Sequence, residues 1–407
     1  MPIYHQLGRV PRKRHVAFRK DDGSLHYEEL VGNQGFTGPS SLLYHLRLPT
    51  AVKSVRPIRG LGWVAEPERV VRHRHFRTSG LATGPSPVLD RVPLLFNADV
   101  AISMARPRKE DPFLYRNGQG DEVVFVVEGE GVLESSFGDL AYRPGDYVVI
   151  PRGVLHRWRL GQGPARLLVI ESAGYVRTPA RYRNEHGQLT ETAPFSERDI
   201  RRPEKLVTHD ETGEFAIVVK SGNRLVEMVM PHHPCDVVGW DGYYYPWAFS
   251  IHDFEPRVGR LHLPPPMHQT FEGEGFVICS FCPRPYDFEP GAVAAPYSHQ
   301  NVMSDEVLFY ANAEFMSRKG IELGSITLHP DGLPHGPQPG KTEESIGARS
   351  TNELAVMVDT FRPLLVSREA LAIEDAAYPL SWLETPSREL PGGRDESREW
   401  PDGRDEK

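Results

Sequence analysis

Cysteine, long apolar runs and excess positive charge are all scarce in this sequence of 407 residues. Three cysteines are too few for a disulfide framework and favour a reducing cytoplasm. No run approaches the roughly 18 apolar residues of a membrane span. The basic first twenty residues lack the apolar core of a signal peptide. We therefore expect a cytoplasmic protein without a membrane partner.

The charge balance is mildly acidic, with 47 Lys and Arg against 55 Asp and Glu, for a net charge of −8. Nucleic-acid-binding proteins usually carry a basic patch or a basic overall charge, because the phosphate backbone dominates their affinity. We therefore expect no nucleic acid among the partners of this protein.

Two of the three cysteines form a CxxC pair, Cys279 and Cys282. Such a pair is found in redox motifs and as half of a zinc site. Here the pair ends an apolar run that begins at Gly275, and the sequence contains no second pair. The pattern favours buried strand cysteines, which behave as small apolar side chains.

Glycine and proline are abundant, with 37 residues of each type. Both disfavour helix interiors, so their number argues against a helical bundle. It is typical of many short strands joined by tight turns. The best helix candidate covers residues 367–377, where Ser367 is a potential N-cap and Pro379 a stop signal.

Two motifs occur twice and in the same order. The pattern N-x3-D-E-V-x-F covers residues 117–125 and 301–309, and the pattern G-x5-P-x-G-x2-H covers residues 145–156 and 324–335. The two pairs are separated by nearly the same number of residues. Such repetition indicates a duplicated domain. In the second pattern, a strand enters a Pro/Gly turn that presents His156 in one copy and His335 in the other.

The second copy contains a candidate metal site. His299 precedes Glu306 by seven residues, and His335 follows in the next motif. Two imidazoles and one carboxylate can occupy one face of a metal and leave the other face open, as in non-haem Fe(II) oxygenases. The alternative is three hydrogen-bonded polar residues in turns. Asp305 adjoins Glu306, and because neighbouring strand residues face opposite sides, only one of them can face His299.

These spacings resemble the cupin superfamily, whose first motif is G-x5-H-x-H-x3-4-E-x6-G and whose second is the G-x5-P-x-G-x2-H found here twice. The C-terminal half resembles more specifically the homogentisate 1,2-dioxygenase family. The resemblance extends to about residue 382 and is strongest in residues 236–246, 297–304 and 333–337.

The resemblance implies a predominantly all-β fold of two cupin-type jelly-roll β-barrels with few short helices. We predict an N-terminal barrel with an arm at residues 1–177 and a connection at 178–205. A metal-binding barrel follows at 206–384, with a disordered tail at 385–407. Tyr115 and Asn117 stand at the H-x-H positions of the first copy, which keeps Glu122 and His156. We therefore expect no metal in the first barrel.

For the second barrel, the resemblance implies Fe(II) held by His299, His335 and a carboxylate. Cupin spacing and the matching Glu122 favour Glu306, whereas the spacing of the dioxygenase family selects Asp305. The resemblance also implies two catalytic histidines and one substrate-binding tyrosine: His268, which would act as acid and base on a ring hydroxyl, His329 and Tyr297.

The implied reaction is the opening of homogentisate to maleylacetoacetate in tyrosine and phenylalanine breakdown. The implied partners are a small aromatic substrate and dioxygen, and the implied assembly is a homo-oligomer, a trimer or hexamer. Two alternatives stay open at this point. One is a dioxygenase for a different hydroquinone or aromatic acid, and the other is a non-catalytic bicupin that binds a small molecule or a metal.

Overall fold

The computed structural model describes residues 3–35, 37–263 and 265–383, so the tail predicted at 385–407 lies outside the described residues. The strands of the first half are β1 (His5–Gly8), β2 (Tyr27–Gly32), β3 (Ser40–His45), β4 (Ser54–Gly60), β5 (Arg74–Arg77), β6 (Val92–Phe96), β7 (Val100–Ala105), β8 (Leu114–Asn117), β9 (Asp121–Glu128), β10 (Gly131–Ser135), β11 (Leu140–Tyr142), β12 (Asp146–Ile150), β13 (His156–Leu160), β14 (Arg166–Ser172) and β15 (Ile200–Arg201).

The second half adds strands that alternate with longer loops. They are β16 (Thr212–Ser221), β17 (Arg224–His232), β18 (Val237–Gly242), β19 (Trp247–Ser250), β20 (Gln269–Gly273), β21 (Phe276–Phe281), β22 (Arg284–Pro285), β23 (Asp305–Tyr310), β24 (Ser325–His329), β25 (Ser350–Thr351), β26 (Ala355–Thr360) and β27 (Leu365–Val366).

Helices are few and short. The α-helices are α1 (Lys341–Ser345) and α2 (Arg368–Leu371), and single 3-10 turns cover Thr78–Gly80, Ala180–Tyr182, Glu197–Asp199, Ile251–Asp253, Pro265–His268 and Tyr378–Leu380. Ser367 caps α2 as predicted, because its hydroxyl accepts a hydrogen bond from the Ala370 amide. The predicted extent to residue 377 is wrong. The chain leaves the helix so that Ile373 and Glu374 can pair with β5.

The first barrel is formed by two large sheets. One has the order β11-β10-β13-β8-β16-β17-β4, and the other β15-β19-β12-β9-β14-β7-β6-β27. The central strand β9 contains a continuous apolar run that is buried on both faces, which is typical of a strand covered on both sides. The resulting core includes large aromatic side chains such as Trp158 and Tyr147.

The second barrel is built on a sheet with the order β20-β21-β26-β23-β24-β5. The small β22-β25 pair and the isolated bridges Val293–Ile346 and His299–His335 provide further antiparallel pairing in this half of the chain. A four-stranded sheet, β1-β18-β3-β2, ties the N-terminal arm to the middle of the chain. The predicted all-β fold of two cupin-type barrels with few short helices is confirmed.

Several strands pair across the two halves of the sequence. β16 and β17 belong to a sheet of the first barrel, β27 pairs with β6, and β5 pairs with β24 of the second barrel. The chain therefore stays in the first barrel beyond residue 205, where the connection was predicted to end. The division into sequence domains stays a prediction.

The cysteines agree with the sequence interpretation. Cys235, Cys279 and Cys282 are buried and unpaired, and burial raises the pKa of the Cys282 thiol to about 11. Buried neutral thiols are poor nucleophiles and poor metal ligands. No helix among the described segments is long and apolar enough to cross a membrane.

A buried histidine joins the arm to the middle of the chain. The Nδ1 of His45 lies 2.6 Å from Oδ1 of Asp236, and its Nε2 lies 3.1 Å from Oε2 of Glu29. Although burial opposes protonation, the hydrogen bonds to Asp236 and Glu29 raise the pKa of His45 to about 9. Both ring nitrogens therefore carry protons and donate to carboxylates.

This pair of contacts predicts a pH-dependent stability. The folded pKa of His45 lies above its ordinary value, so its stabilising effect is complete below about pH 6.5 and is lost as the pH rises through about 9. The loss should amount to at most about 3 kcal/mol. Urea unfolding between pH 6 and 10 should show this slope in the unaltered protein and not in His45→Gln. The same slope in His45→Gln would contradict the assignment, and His186→Gln, at an exposed position, is the control.

Candidate metal centre

Two histidines of the second barrel are held side by side by their own backbone. The amide of His299 donates to the carbonyl of His335 at 2.8 Å, and the amide of His335 donates to the carbonyl of His299 at 2.7 Å. Gly336 permits this approach, because a Cβ at that position would lie 2.7 Å from the Cα of Ser298. The close packing against Ser298 therefore requires glycine at the position after His335.

The turn before His335 repeats the geometry of the first copy. Gly332 has a φ of 75° and donates its amide to the carbonyl of Asn301 at 2.8 Å. Gly153 has a φ of 83° and donates to the carbonyl of Asn117 at 2.8 Å. Positive φ favours glycine. The repeated G-x5-P-x-G-x2-H pattern thus folds into the same turn in both barrels.

Local hydrogen bonds orient both imidazole rings. Nδ1 of His299 lies 3.2 Å from the carbonyl of Tyr297, and Nδ1 of His335 lies 3.1 Å from the carbonyl of Leu333. A carbonyl only accepts, so each Nδ1 carries the proton and each Nε2 keeps its lone pair when the ring is neutral. Metal-ligating histidines commonly have this arrangement.

Both Nε2 atoms point toward one carboxylate oxygen. Oε2 of Glu306 lies 3.6 Å from Nε2 of His299 and 3.5 Å from Nε2 of His335. The ligand atoms of the three residues lie within 4.8 Å of one another. Nε2 of His335 is buried and makes no hydrogen bond. A buried polar atom without a partner is costly, and a cation between these three atoms would supply one.

The neighbouring carboxylate has a different environment. Oδ1 of Asp305 accepts from the amide of Asp331 at 2.8 Å, and Oδ2 accepts from the amide of Leu364 at 2.7 Å. The equivalent Asp121 accepts from the amides of Arg152 and Val176 in the first barrel. Asp305 thus fastens two loops, and Glu306 is the carboxylate that faces the imidazoles.

The charges at the site fit a cation. Burial opposes ionisation of Glu306, but the three imidazoles that face it, those of His299, His329 and His335, hold its pKa well below the ordinary value. Asp359 faces Glu306 across β23 and β26. Burial and the charge of Glu306 raise the pKa of Asp359 well above its ordinary value. Two imidazoles and a single carboxylate suit a divalent metal with open coordination positions.

His329 lies behind Glu306. Its Nδ1 donates to Oε1 of Glu306 at 2.8 Å, and its Nε2 accepts from the hydroxyl of Tyr378 at 3.2 Å. Burial and the nearby Arg318 lower the pKa of His329 to about 3, so the ring is neutral. Its ring also stacks on His335 with centroids 4.7 Å apart. These contacts suit a residue that orients Glu306.

The site opens into a cavity of about 380 Å³. Four of the predicted site residues are in its wall: His268, Tyr297, His299 and Glu306. Tyr297 is at the mouth, with 62% of its surface exposed. His329 and His335 are not in the wall. The volume falls within the range of small-molecule pockets.

His268 is also in this wall, at the end of the 3-10 turn Pro265–His268 and directly before β20. Its Nδ1 donates to the carbonyl of Ser280 at 3.2 Å, and its ring stacks on Phe281 with centroids 4.5 Å apart. Burial and the charge of Arg284 lower the pKa of His268 to about 3. The ring is therefore neutral, and its Nε2 has no hydrogen-bond partner among the described residues.

The sequence analysis did not find three residues near the site. Asp359 is a lone charged residue in the apolar strand β26, which is a signal that sequence reasoning could have used. Arg318 donates to the carbonyl of Gly336 at 2.8 Å. The ring of His73 lies 5.5 Å from that of His329. Neither Arg318 nor His73 stands in a recognisable motif. The pairing of β5 with β24 brings His73 to the site, and Arg318 reaches it from the loop between β23 and β24.

The equivalent place in the first barrel contains a guanidinium. Nη1 and Nη2 of Arg91 donate to Oε1 and Oε2 of Glu122 at 2.7 and 2.9 Å. Nδ2 of Asn117 donates to the same carboxylate at 2.9 Å. His156 pairs with Tyr115, much as His335 pairs with His299. Arg91 thus supplies a fixed positive charge; that this barrel binds no metal stays a prediction.

Known proteins with similar sequences identify the family to which this fold belongs. The family model described as "Homogentisate 1,2-dioxygenase N-terminal" matches residues 99–251. The Saccharolobus solfataricus protein named "Putative dioxygenase SSO1533" is 42% identical over 385 residues, covering 94% of this chain and 99% of the relative. The chain belongs to the homogentisate 1,2-dioxygenase-like family of cupins. This confirms the resemblance found in the sequence.

More distant matches are consistent with this family. A homogentisate 1,2-dioxygenase of Bradyrhizobium diazoefficiens is 28% identical over 269 residues, covering 63% of this chain and 59% of that enzyme. A solved structure, a cupin 2 conserved barrel domain protein from Leptotrichia buccalis, is 10% identical, covers 75% of this chain and all of its own, and has a TM-score of 0.34. At that score the likeness adds nothing to the strand pairing described above.

Proposed function

We propose that this protein is an Fe(II)-dependent dioxygenase that opens the ring of a hydroquinone-type aromatic. The reaction to test first is the conversion of homogentisate to maleylacetoacetate, a step of tyrosine catabolism. One observation carries the proposal: Nε2 of His299, Nε2 of His335 and Oε2 of Glu306 converge beside a cavity. The family supports a dioxygenase, and the donor set supports a metal with open positions.

In this proposal, His299, Glu306 and His335 hold the iron. When bound, Fe(II) supplies the electrons that activate dioxygen and a site at which the substrate oxygens coordinate. His329 keeps the carboxylate of Glu306 in orientation through its Nδ1 proton. Burial beside the charge of Glu306 raises the pKa of Asp359, which disfavours a second negative charge at this place.

We further propose that His268 takes a proton from a ring hydroxyl. Its Nδ1 proton is committed to the carbonyl of Ser280, so Nε2 is the basic atom. Leu308, Met357 and Phe315 line the cavity beside the polar groups and limit the entry of water. The proposed partners are a small aromatic substrate and dioxygen. The oligomeric state, a trimer or hexamer by family resemblance, stays a prediction that sedimentation velocity would measure.

Oxygen uptake by iron-loaded protein is the direct test of the function. The protein, loaded with one equivalent of Fe(II) under argon, should consume one dioxygen per homogentisate and produce the absorbance of a ring-opened product. Iron binding without uptake on any hydroquinone would favour a non-catalytic metal-binding bicupin. No iron binding at all would contradict the whole proposal.

Replacement of His268 separates its role from that of the metal centre. We expect His268→Phe to lower kcat by about 10²- to 10⁴-fold, the usual contribution of a positioned acid or base. Iron content should not change, because His268 contacts Phe281 and Ser280 rather than the ligand candidates. An unchanged kcat would rule out proton transfer by this residue. His186→Phe, at an exposed histidine, is the matched control.

A further inference from the structure

The cavity continues well beyond the metal centre. Glu306 faces Asp359, and Glu353, six residues before Asp359 along the chain, is also in the cavity wall. Asp359 lies four residues along β26 from Ala355, about 13 Å at 3.3 Å per strand residue, and Glu353 precedes Ala355 by two residues. That distance exceeds the length of homogentisate. The wall between them includes Met357, Leu308 and Phe281 and is mainly apolar.

An ion pair is in the wall of this cavity. Nη1 of Arg284 lies 2.7 Å from Oε1 of Glu353, and both residues line the cavity. Only 12% of the Arg284 side chain and 1% of the Glu353 side chain are exposed. Arg284 pairs with Thr351 in the β22-β25 ladder, and the amide of Glu353 donates to the Thr351 hydroxyl. These contacts fix the backbone positions of both residues.

The pair leaves hydrogen-bonding capacity unused. Oε2 of Glu353 is buried and makes no hydrogen bond. Nη1 of Arg284 bonds to Glu353 and to the carbonyl of Cys282, while Nε and Nη2 have no partner among the described residues. A buried charge pair offsets its desolvation only when its remaining atoms are also bonded. If the pair served only to hold β22 in place, the unpartnered buried Oε2 of Glu353 would reduce its contribution to stability.

We propose that Arg284 and Glu353 form a subsite for the side chain of the substrate. The ligand group that fits is both a hydrogen-bond acceptor, for Arg284, and a donor, for Oε2 of Glu353, as a primary carboxamide is. The inference rests on the proposed function and names its substrate class: hydroquinones whose ring substituent ends in such a group after an apolar spacer.

Charge complementarity disfavours a carboxylate at this position. Glu353 already neutralises the guanidinium of Arg284 at 2.7 Å. The free Oε2 of Glu353 would repel a second carboxylate and would accept an N–H or O–H donor. The apolar side chains between the two ends of the cavity suit a methylene spacer.

A binding experiment with matched probes tests the subsite. Isothermal titration under argon, with metal-free and Fe(II)-loaded protein, would compare 6-(2,5-dihydroxyphenyl)hexanamide with the corresponding hexanoic acid. The unaltered protein should bind the amide about tenfold more tightly. Glu353→Gln should reverse this preference, because its amide presents a donor where Oε2 stands. Arg284→Met should weaken binding of both probes.

Controls separate failure of the subsite from failure of the enzyme assignment. Glu289→Gln, in an exposed ion pair with Arg260, should leave the preference for the amide unchanged, and thermal unfolding would verify that Glu353→Gln is folded. If the unaltered protein and Glu353→Gln show the same preference between the amide and the acid, the subsite is wrong. This holds even if homogentisate supports oxygen uptake. If Glu353→Gln reverses the preference for the amide but no hydroquinone supports oxygen uptake, the subsite is supported and the dioxygenase assignment is rejected.

Discussion

The His335→Ala protein is expected to bind no iron, whereas the same change at His156 leaves iron binding intact. The two histidines end the same sequence motif and follow the same turn. Both Nε2 atoms are buried without a hydrogen bond, but that of His335 points toward a carboxylate that also faces a second imidazole. The carboxylate beside His156 is Glu122, which binds the Arg91 guanidinium. Loss of one of three protein ligands should lower the affinity by more than about 100-fold, since changes to the outer partners of a ligand alone cost 10- to 100-fold.

The measurement is the iron content of each variant after anaerobic loading and dialysis, with circular dichroism to verify folding. His299→Ala should behave as His335→Ala does, and Glu306→Ala should also lose the metal. Asp305→Asn should retain iron, because the Asp305 oxygens accept hydrogen bonds from two backbone amides. Stoichiometric iron in folded His335→Ala would refute the proposed site. Loss of iron in His156→Ala would place a metal in the first barrel.

Features that depend on local patterns could be predicted from the sequence alone. Alternation along β23 separates Asp305 from Glu306, and the preference for Glu306 rested on the equivalent Glu122 of the repeat. The glycine at 332 and its counterpart at 153 have the positive φ that their turn requires. Such features depend on neighbouring residues in the chain, so a single sequence can indicate them.

Features that depend on long-range pairing could not be predicted. Strand β5 joins the sheet of the second barrel although some 250 residues separate it from β24, and this pairing brings His73 near the metal centre. The position of His329 depends on the register of β23 and β24, which places it opposite Glu306. Helix α2 is shorter than its sequence pattern because pairing with β5 competes with helical hydrogen bonds.

Arg91→Met is expected to destabilise the protein by about 3–5 kcal/mol, because it leaves Glu122 buried without its counter-ion. Glu122 is fully buried, and both of its oxygens accept hydrogen bonds from the Arg91 guanidinium. Although burial opposes ionisation, the charge of Arg91 lowers the pKa of Glu122 to about 2. The pair therefore stabilises the unaltered protein above the ordinary glutamate pKa and loses this effect as the pH falls toward 2.

In Arg91→Met the sign of the pH dependence should reverse, because burial alone raises the pKa of Glu122 above its unfolded value. The variant should then lose stability as the pH rises from 5 to 8, which urea unfolding at the two values would measure. The double variant Arg91→Met, Glu122→Gln removes the buried charge and should recover most of the loss. If the single variant is as stable as the unaltered protein, the guanidinium is not the cation that the first barrel needs. If it is destabilised as expected, Arg91 is the counter-ion of Glu122, a role that the proposed site of the second barrel gives to a metal beside Glu306.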